Sequence, residues 1–167
     1  HYAGHPVRAI LPADPDDPIL HGLDALRVPY RSVPLAGAVR TNLTLTEADG
    51  TTTKINEPGP SLDAETIERL AHLLVLESER ADWVVLSGSL PPGVPEQWYA
   101  DLVRALRPWG CRIAVDTSDA PLLALAARFP DAAPDLLKPN SEELAQLTGA
   151  DPEALEARQR RRTDAPQ

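Results

Sequence analysis

The stretch V-V-L-S-G-S-L-P-P-G-V-P-E-Q-W, Val84 to Trp98, changes character at its middle. An apolar run of the kind that a parallel sheet buries on both faces stops at serine and glycine, crosses two prolines and a second glycine, and gives way to a helical pattern. Strand, stiff turn and helix then recur downstream. Pro95 to Leu106 reads as the first helix, and Arg112 to Val115 as a second strand ending at Asp116. Pro121 to Phe129 is another helix, Asp135-Leu136-Leu137-Lys138 a short strand, and Ser141 to Leu147 a short helix closed by Gly149.

Upstream, Val7 to Leu11 is a short apolar run. Ile19, Leu20, Leu23 and Leu26 recur at helical spacing behind Asp16 and Asp17, where a helix start favours negative charge. Asp63-Ala64-Glu65-Thr66 opens a longer helix striped by Ile67, Leu70 and Leu74. Strands alternating with helices specify an α/β fold, a doubly wound, mostly parallel sheet with flanking helices. One segment breaks the rhythm. Tyr30 to Leu35 and Arg40 to Glu47 are rich in β-branched and apolar residues, and Ala48-Asp49-Gly50 is a turn leading into T-T-T-K-I-N-E. Leu43 and Leu45 alternate with Thr44 and Thr46, so a hairpin with one wet and one apolar face is expected, a small β lid over about residues 30–57. Glu57-Pro58-Gly59-Pro60 ends it, because proline cannot donate to a ladder.

With 167 residues, 43% hydrophobic but only 4% aromatic, the chain can bury an aliphatic core. A formal charge of -9 argues against broad binding to nucleic acid or to anionic membranes, and favours a small-molecule partner. Cys111 is the single cysteine, and no apolar run approaches the roughly 18 residues of a membrane span, so a cytoplasmic protein is expected. The chain opens at His1 and has no methionine, which is expected of a fragment. Residues 1–150 read as one partial α/β domain. Residues 151–167 read as a polar tail, expected to be poorly ordered, whose basic run Arg160-Arg161-Arg162 is a solvated feature.

Ligands of such sheets bind beyond the carboxyl ends of the strands. There the chain places Ser87-Gly88-Ser89, then Asp116-Thr117-Ser118, then Lys138-Pro139-Asn140 with Glu143. Each has a plain structural reading. The serine–glycine–proline loop serves as a strand-to-helix connector, Asp116 as a helix cap, and Lys138 as a surface lysine. Asn140 and Glu143 fit a capping box, in which Asn140 caps and Glu143 reaches back. Recurrence of hydroxyls, a carboxylate, a lysine and an Asn-x-x-Glu at the same end of successive strands adds a functional reading to the structural one.

S-G-S-L-P-P-G after an apolar strand, then D-T-S, then L-K-P-N-S-E-E-L resembles the phosphofructokinase B group of the ribokinase-like sugar kinases. V-R-T-N-L-T-L-T-E-A-D-G-T-T-T-K-I-N-E-P-G-P is similar to the lid of its 1-phosphofructokinase subgroup, and the likeness runs from about Val7 to Gly149. The resemblance implies that Arg40, Asn42 and Ser89 bind the sugar phosphate. It implies nucleotide-side roles for Lys138, Asn140 and Glu143, and a metal role for Asp116 and Glu143, partly through water. ATP and Mg2+ are the implied cofactors, and a homodimer through the lid the implied assembly. The implied reaction is phosphorylation of a ketohexose phosphate, fructose 1-phosphate to fructose 1,6-bisphosphate, with tagatose 6-phosphate and fructose 6-phosphate as rival substrates. A non-catalytic module that binds sugar phosphate or nucleotide is the reading of another class. No residue matches the family's G-A-G-D element with its catalytic-base aspartate, so no catalytic residue is assigned and the chain is expected to be inactive alone. Asp119 stands where the family often has glycine, and Ala13-Asp14-Pro15 where glycines are usual.

Overall fold

The computed structural model describes residues 4–149 and Asp151; the expectation of a poorly ordered tail falls on residues outside them, Asp151 apart. The chain divides into two compact units. One comprises the residues up to Leu76 together with Pro91–Val94; the other comprises Glu77–Leu90 and the residues from Pro95 on.

In the first unit, β1 (Ala9–Pro12) is followed by α1 (Pro18–Ala25) and β2 (Tyr30–Val33), and β1 pairs with β2 in parallel, Ala9 opposite Tyr30. The expectation that Tyr30 to Leu35 joins the hairpin is corrected: its partner lies before it in the chain. The turn that lacks the usual glycines is closed by Asp14, whose side chain accepts the Asp16 N–H and whose carbonyl accepts the Asp17 N–H. Proline at the first position of α1 sits where its missing N–H costs nothing, and Asp17 caps the helix by accepting the Ile19 N–H.

The hairpin consists of β3 (Asn42–Thr46) and β4 (Thr52–Asn56), antiparallel with Leu43 opposite Ile55. Leu43, Leu45 and Ile55 share a face by register, as the alternation requires, yet each remains about half exposed, at 48%, 50% and 50%. After the hairpin, Asp63 accepts the Thr66 N–H at the start of α2 (Ala64–Ser78). Gly93, in the same unit, has φ +88, and a methyl added there would stand 2.4 Å from the Leu62 carbonyl oxygen and 2.8 Å from Ser61 Oγ. The Pro92 carbonyl accepts both the Leu62 N–H and the Ser61 hydroxyl. The Pro-Pro-Gly sequence is thus needed for close backbone approach as well as for stiffness.

In the second unit, β5 (Trp83–Ser87), β6 (Arg112–Asp116) and β7 (Leu136–Leu137) form a parallel sheet in that order. Connecting them are α3 (Trp98–Leu106), a 3-10 turn at Arg107–Trp109 and α4 (Asp119–Ala126); α5 (Ser141–Thr148) follows β7. Helix α3 begins three residues later than its sequence pattern implies, because Pro95 is used in a turn whose carbonyl accepts the Trp98 N–H. Its Tyr99, Ala100, Leu102, Val103 and Leu106 are all buried, a stripe at helical spacing. Ile113, Val115, Leu106, Leu122 and Leu125 are each at most 1% exposed, and burying side chains of this size contributes about 1.5–3 kcal/mol apiece. Asp135 closes the sheet: its N–H donates to the Ile113 carbonyl, and its carboxylate accepts the Ile113 N–H. No helix of the described residues is long and apolar enough to cross a membrane.

Candidate functional site

The register of the three-stranded sheet brings together the candidate residues of the second unit. Ser87 lies opposite Asp116, and Val115 opposite Leu137, so Ser87, Asp116 and Lys138 come out in a row at the carboxyl ends of neighbouring strands. Lys138 Nζ is 3.2 Å from Asp116 Oδ2, with the lysine side chain 72% exposed and the aspartate 40%. The structure therefore brings together two candidates that are 22 positions apart, counted from 116 to 138. Asp116 does not cap a helix; Ser118 occupies that place, ahead of α4.

Two positions beyond Lys138, Asn140 and Glu143 form the full capping box: Asn140 Oδ1 accepts the Glu143 N–H at 2.9 Å, and Glu143 Oε2 accepts the Asn140 N–H at 2.8 Å. The structural reading of this pair is realised. It does not exclude a ligand role, because a carboxylate has a second oxygen and Asn140 is exposed.

Ser89 is exposed one residue beyond Gly88, whose peptide is held on both sides. The Gly88 N–H donates to the Asp116 carbonyl at 2.9 Å, while the Gly88 carbonyl accepts the Tyr99 hydroxyl at 2.8 Å and the buried Thr117 hydroxyl at 3.1 Å. Thr117, placed among the strand-end residues by sequence but given no role of its own there, and Tyr99, which sequence reasoning missed, support this loop. The signal for Thr117 was its place directly after Asp116; Tyr99 looked like one more residue of an apolar stripe.

Arg40 and Asn42 belong to the first unit. Asn42 begins β3 and is exposed, whereas Arg40 stands just before the strand and is half-buried. The backbone around Arg40 is held by two carboxylates. Asp17 Oδ2 accepts the Val39 N–H at 2.8 Å, and Glu57 Oε2 accepts the Thr41 N–H at 2.9 Å. The arginine stem lies along Gly59, where an added methyl would stand 3.2 Å from Arg40 Cβ. Asp17 is 6% exposed, and the amide hydrogen bonds from Ile19 and Val39 hold its carboxyl below the usual carboxylate range, because they favour the charged form. Among the described residues no carboxylate pairs with the Arg40 guanidinium, whose planar fork suits phosphate oxygens. Asp17, Glu57 and Gly59 were also missed as parts of this site.

No group of three or more His, Cys, Asp or Glu side chains that could hold a metal ion occurs among the described residues. Asp116, at the end of β6, and Glu143, in the first turn of α5, leave room only for a mode with few protein ligands. Magnesium keeps several waters and takes one or two carboxylates plus substrate phosphates, and Asp116 and Glu143 each keep an oxygen outside the Lys138 pair and the capping box.

Residues 8–163 match the family model described as pfkB family carbohydrate kinase. Among curated relatives, 1-phosphofructokinase of Xanthomonas campestris pv. campestris is 44% identical over 116 residues, which are 69% of this chain and 36% of that protein. Among solved structures, phosphofructokinase-2 from Escherichia coli in complex with fructose-6-phosphate superposes with a TM-score of 0.76 at 32% identity, over 89% of this chain and 48% of that one. Ribokinase from Giardia lamblia shares the fold, with a TM-score of 0.58 at 14% identity over 86% and 44% of the two chains. The chain thus has the ribokinase-like α/β fold expected of it, and spans about a third to a half of the length of these proteins.

Proposed function

Since the chain belongs to the pfkB family of carbohydrate kinases, we propose that its residues serve ATP-dependent phosphorylation of a ketohexose phosphate, with fructose 1-phosphate as the acceptor and fructose 1,6-bisphosphate as the product. The observation that carries this reading is the bracing of Arg40, whose neighbouring amides are both held by carboxylates and whose stem is pressed against Gly59. With the backbone held on both sides of it, Arg40 offers its fork to a phosphate from a fixed starting point, so less of the chain has to be ordered on binding. Asn42 and Ser89 supply further polar contacts to the sugar.

Lys138, Asn140 and Glu143 face the nucleotide in this reading, and Asp116 and Glu143 hold magnesium through water. The metal would neutralise charge on the ATP phosphates. The protein's part is then positioning: Lys138 offsets phosphate charge, and Asp116 keeps the ammonium over the strand ends until nucleotide arrives. The lid is the hairpin of β3 and β4 within residues 30–57, and its half-exposed Leu43, Leu45 and Ile55 supply an apolar face through which two copies pair. Such chemistry belongs in the cytoplasm.

The test is magnesium- and ATP-dependent formation of fructose 1,6-bisphosphate from fructose 1-phosphate, run beside fructose 6-phosphate and tagatose 6-phosphate. Preference for fructose 1-phosphate supports the reading, and preference for either 6-phosphate corrects the substrate. Binding of fructose 1-phosphate without turnover by this chain assigns it the substrate-holding part alone. Absence of saturable binding of any of the three overturns the reading.

A further inference from the structure

Asp17 does two things with one carboxylate. Oδ1 accepts the Ile19 N–H, 2.9 Å away, and caps α1; Oδ2 accepts the Val39 N–H, 2.8 Å away and 22 positions along the chain. A helix cap needs only one acceptor, and serine or asparagine would serve it as well. The second bond lands on the residue directly before Arg40. We propose that Asp17 is a positioning residue for sugar-phosphate binding: it couples the start of α1 to the Val39 amide and thereby sets where the Arg40 guanidinium points. The inference rests on the reading of Arg40 as the phosphate contact.

Three observations bear on this coupling. Asp17 is 6% exposed, so its bonds are not exchanged freely with water. Arg40 is already fixed from the other side, where Glu57 holds the Thr41 amide and donates its own N–H to the Thr41 carbonyl at 3.4 Å. The stem of Arg40 passes beside Gly59, where an added methyl would stand 3.2 Å from Arg40 Cβ. With the Val39 bond cut, the segment keeps its hold at Thr41 and swings about it, so the fork moves while the hairpin stays. Displacement of a phosphate-binding group by about 1 Å can cost up to about a hundredfold.

Simple charge arithmetic predicts the opposite sign. Removing a negative charge from the neighbourhood of a phosphate site should strengthen anion binding. Asp17→Ser is the informative variant, because serine keeps a single cap acceptor and is too short to serve Val39 as well; Asp17→Ala removes both bonds and reports the cost of the cap. Fructose 1-phosphate is titrated calorimetrically into the parent chain, Asp17→Ser, Asp17→Ala, Arg40→Ala and the double variant Asp17→Ser with Arg40→Ala, with amide hydrogen exchange read at Ile19 and Val39.

The expected result is that Asp17→Ser keeps protection at Ile19, loses it at Val39 and binds fructose 1-phosphate about tenfold more weakly, while the double variant binds no worse than Arg40→Ala alone. Unchanged affinity in Asp17→Ser, or an equal loss with and without Arg40, overturns the positioning role while leaving the sugar-phosphate reading intact. If the parent does not bind, or Arg40→Ala binds as the parent does, the reading of Arg40 fails first and this inference falls with it.

Discussion

Lys138 Nζ lies 3.2 Å from Asp116 Oδ2, across the carboxyl ends of two neighbouring parallel strands, and both side chains are substantially exposed. An ion pair of that kind in water contributes little to folding, because side-chain entropy and solvent screening offset most of the attraction. On the proposed reading its value lies in holding a cation for the nucleotide phosphates. Lys138→Ala should therefore shift the thermal midpoint by no more than about 2 °C and weaken ATP binding about tenfold or more. A thermal melt and an ATP titration on the same sample check both, and a large stability loss with unchanged ATP affinity would make the pair structural.

Asp119 opens α4 with φ +56, a left-handed conformation that side chains with a Cβ adopt at a cost. The Ser118 hydroxyl, donating to Asp119 Oδ2 at 3.0 Å, offsets part of it. Asp119→Gly should stabilise the chain by about 0.5–1 kcal/mol, and Asp119→Ala, which keeps the strain and loses the hydrogen bond, should destabilise it. Urea unfolding of the two variants reads the opposite signs.

Glycine to alanine should likewise change sign with position. Gly22 lies inside α1 with nothing within 4 Å of an added methyl, so Gly22→Ala should stabilise by about 0.5–1 kcal/mol. Gly93→Ala combines positive φ with contact at 2.4 Å to a backbone oxygen, and should destabilise by about 2 kcal/mol or more. Equal effects in denaturant titration would contradict the packing described around Pro92.

Acid should weaken the first unit through a defined set of groups. Asp17, Asp63 and Asp49 are all held below the ordinary aspartate value, each first by a backbone N–H, from Ile19, Thr66 and Thr51 respectively. A depressed folded value means that the contribution is fully present above the unfolded value of 3.8 and is lost as pH falls through the folded values. Stability should thus be insensitive to these three groups from neutrality down to about pH 5 and fall below about pH 4. Midpoints of Asp17→Ser and its parent should converge as pH is lowered; a constant gap would show that the Asp17 carboxylate is not the group involved.

Much of this was legible in the sequence. Val84 to Ser87 and Arg112 to Asp116 pair as the parallel strands their patterns imply, although burial of the first on both faces is not met, since Val84 and Leu86 are buried while Trp83 and Val85 are 42% and 64% exposed; Asn140 with Glu143 reads as a capping box because both partners lie within one helical turn. What could not be read is long-range. Tyr30–Val33 has the composition of a hairpin strand, and nothing local reveals that its ladder is with Ala9–Pro12. The Asp17–Val39 and Thr117–Gly88 hydrogen bonds join residues 22 and 29 positions apart, so the braces of the candidate site emerge only from the fold. Pro95 fits both a helix start and a turn, and the turn prevails.

Calorimetric titration of fructose 1-phosphate into the parent chain and into Arg40→Ala tests the account at its centre. Loss of a charge-assisted contact of this kind amounts to about 1.5–3 kcal/mol, so the variant should bind about ten- to a hundredfold more weakly, with an unchanged thermal midpoint. Equal affinity in the two would contradict the assignment of Arg40, and with it the sugar-phosphate site.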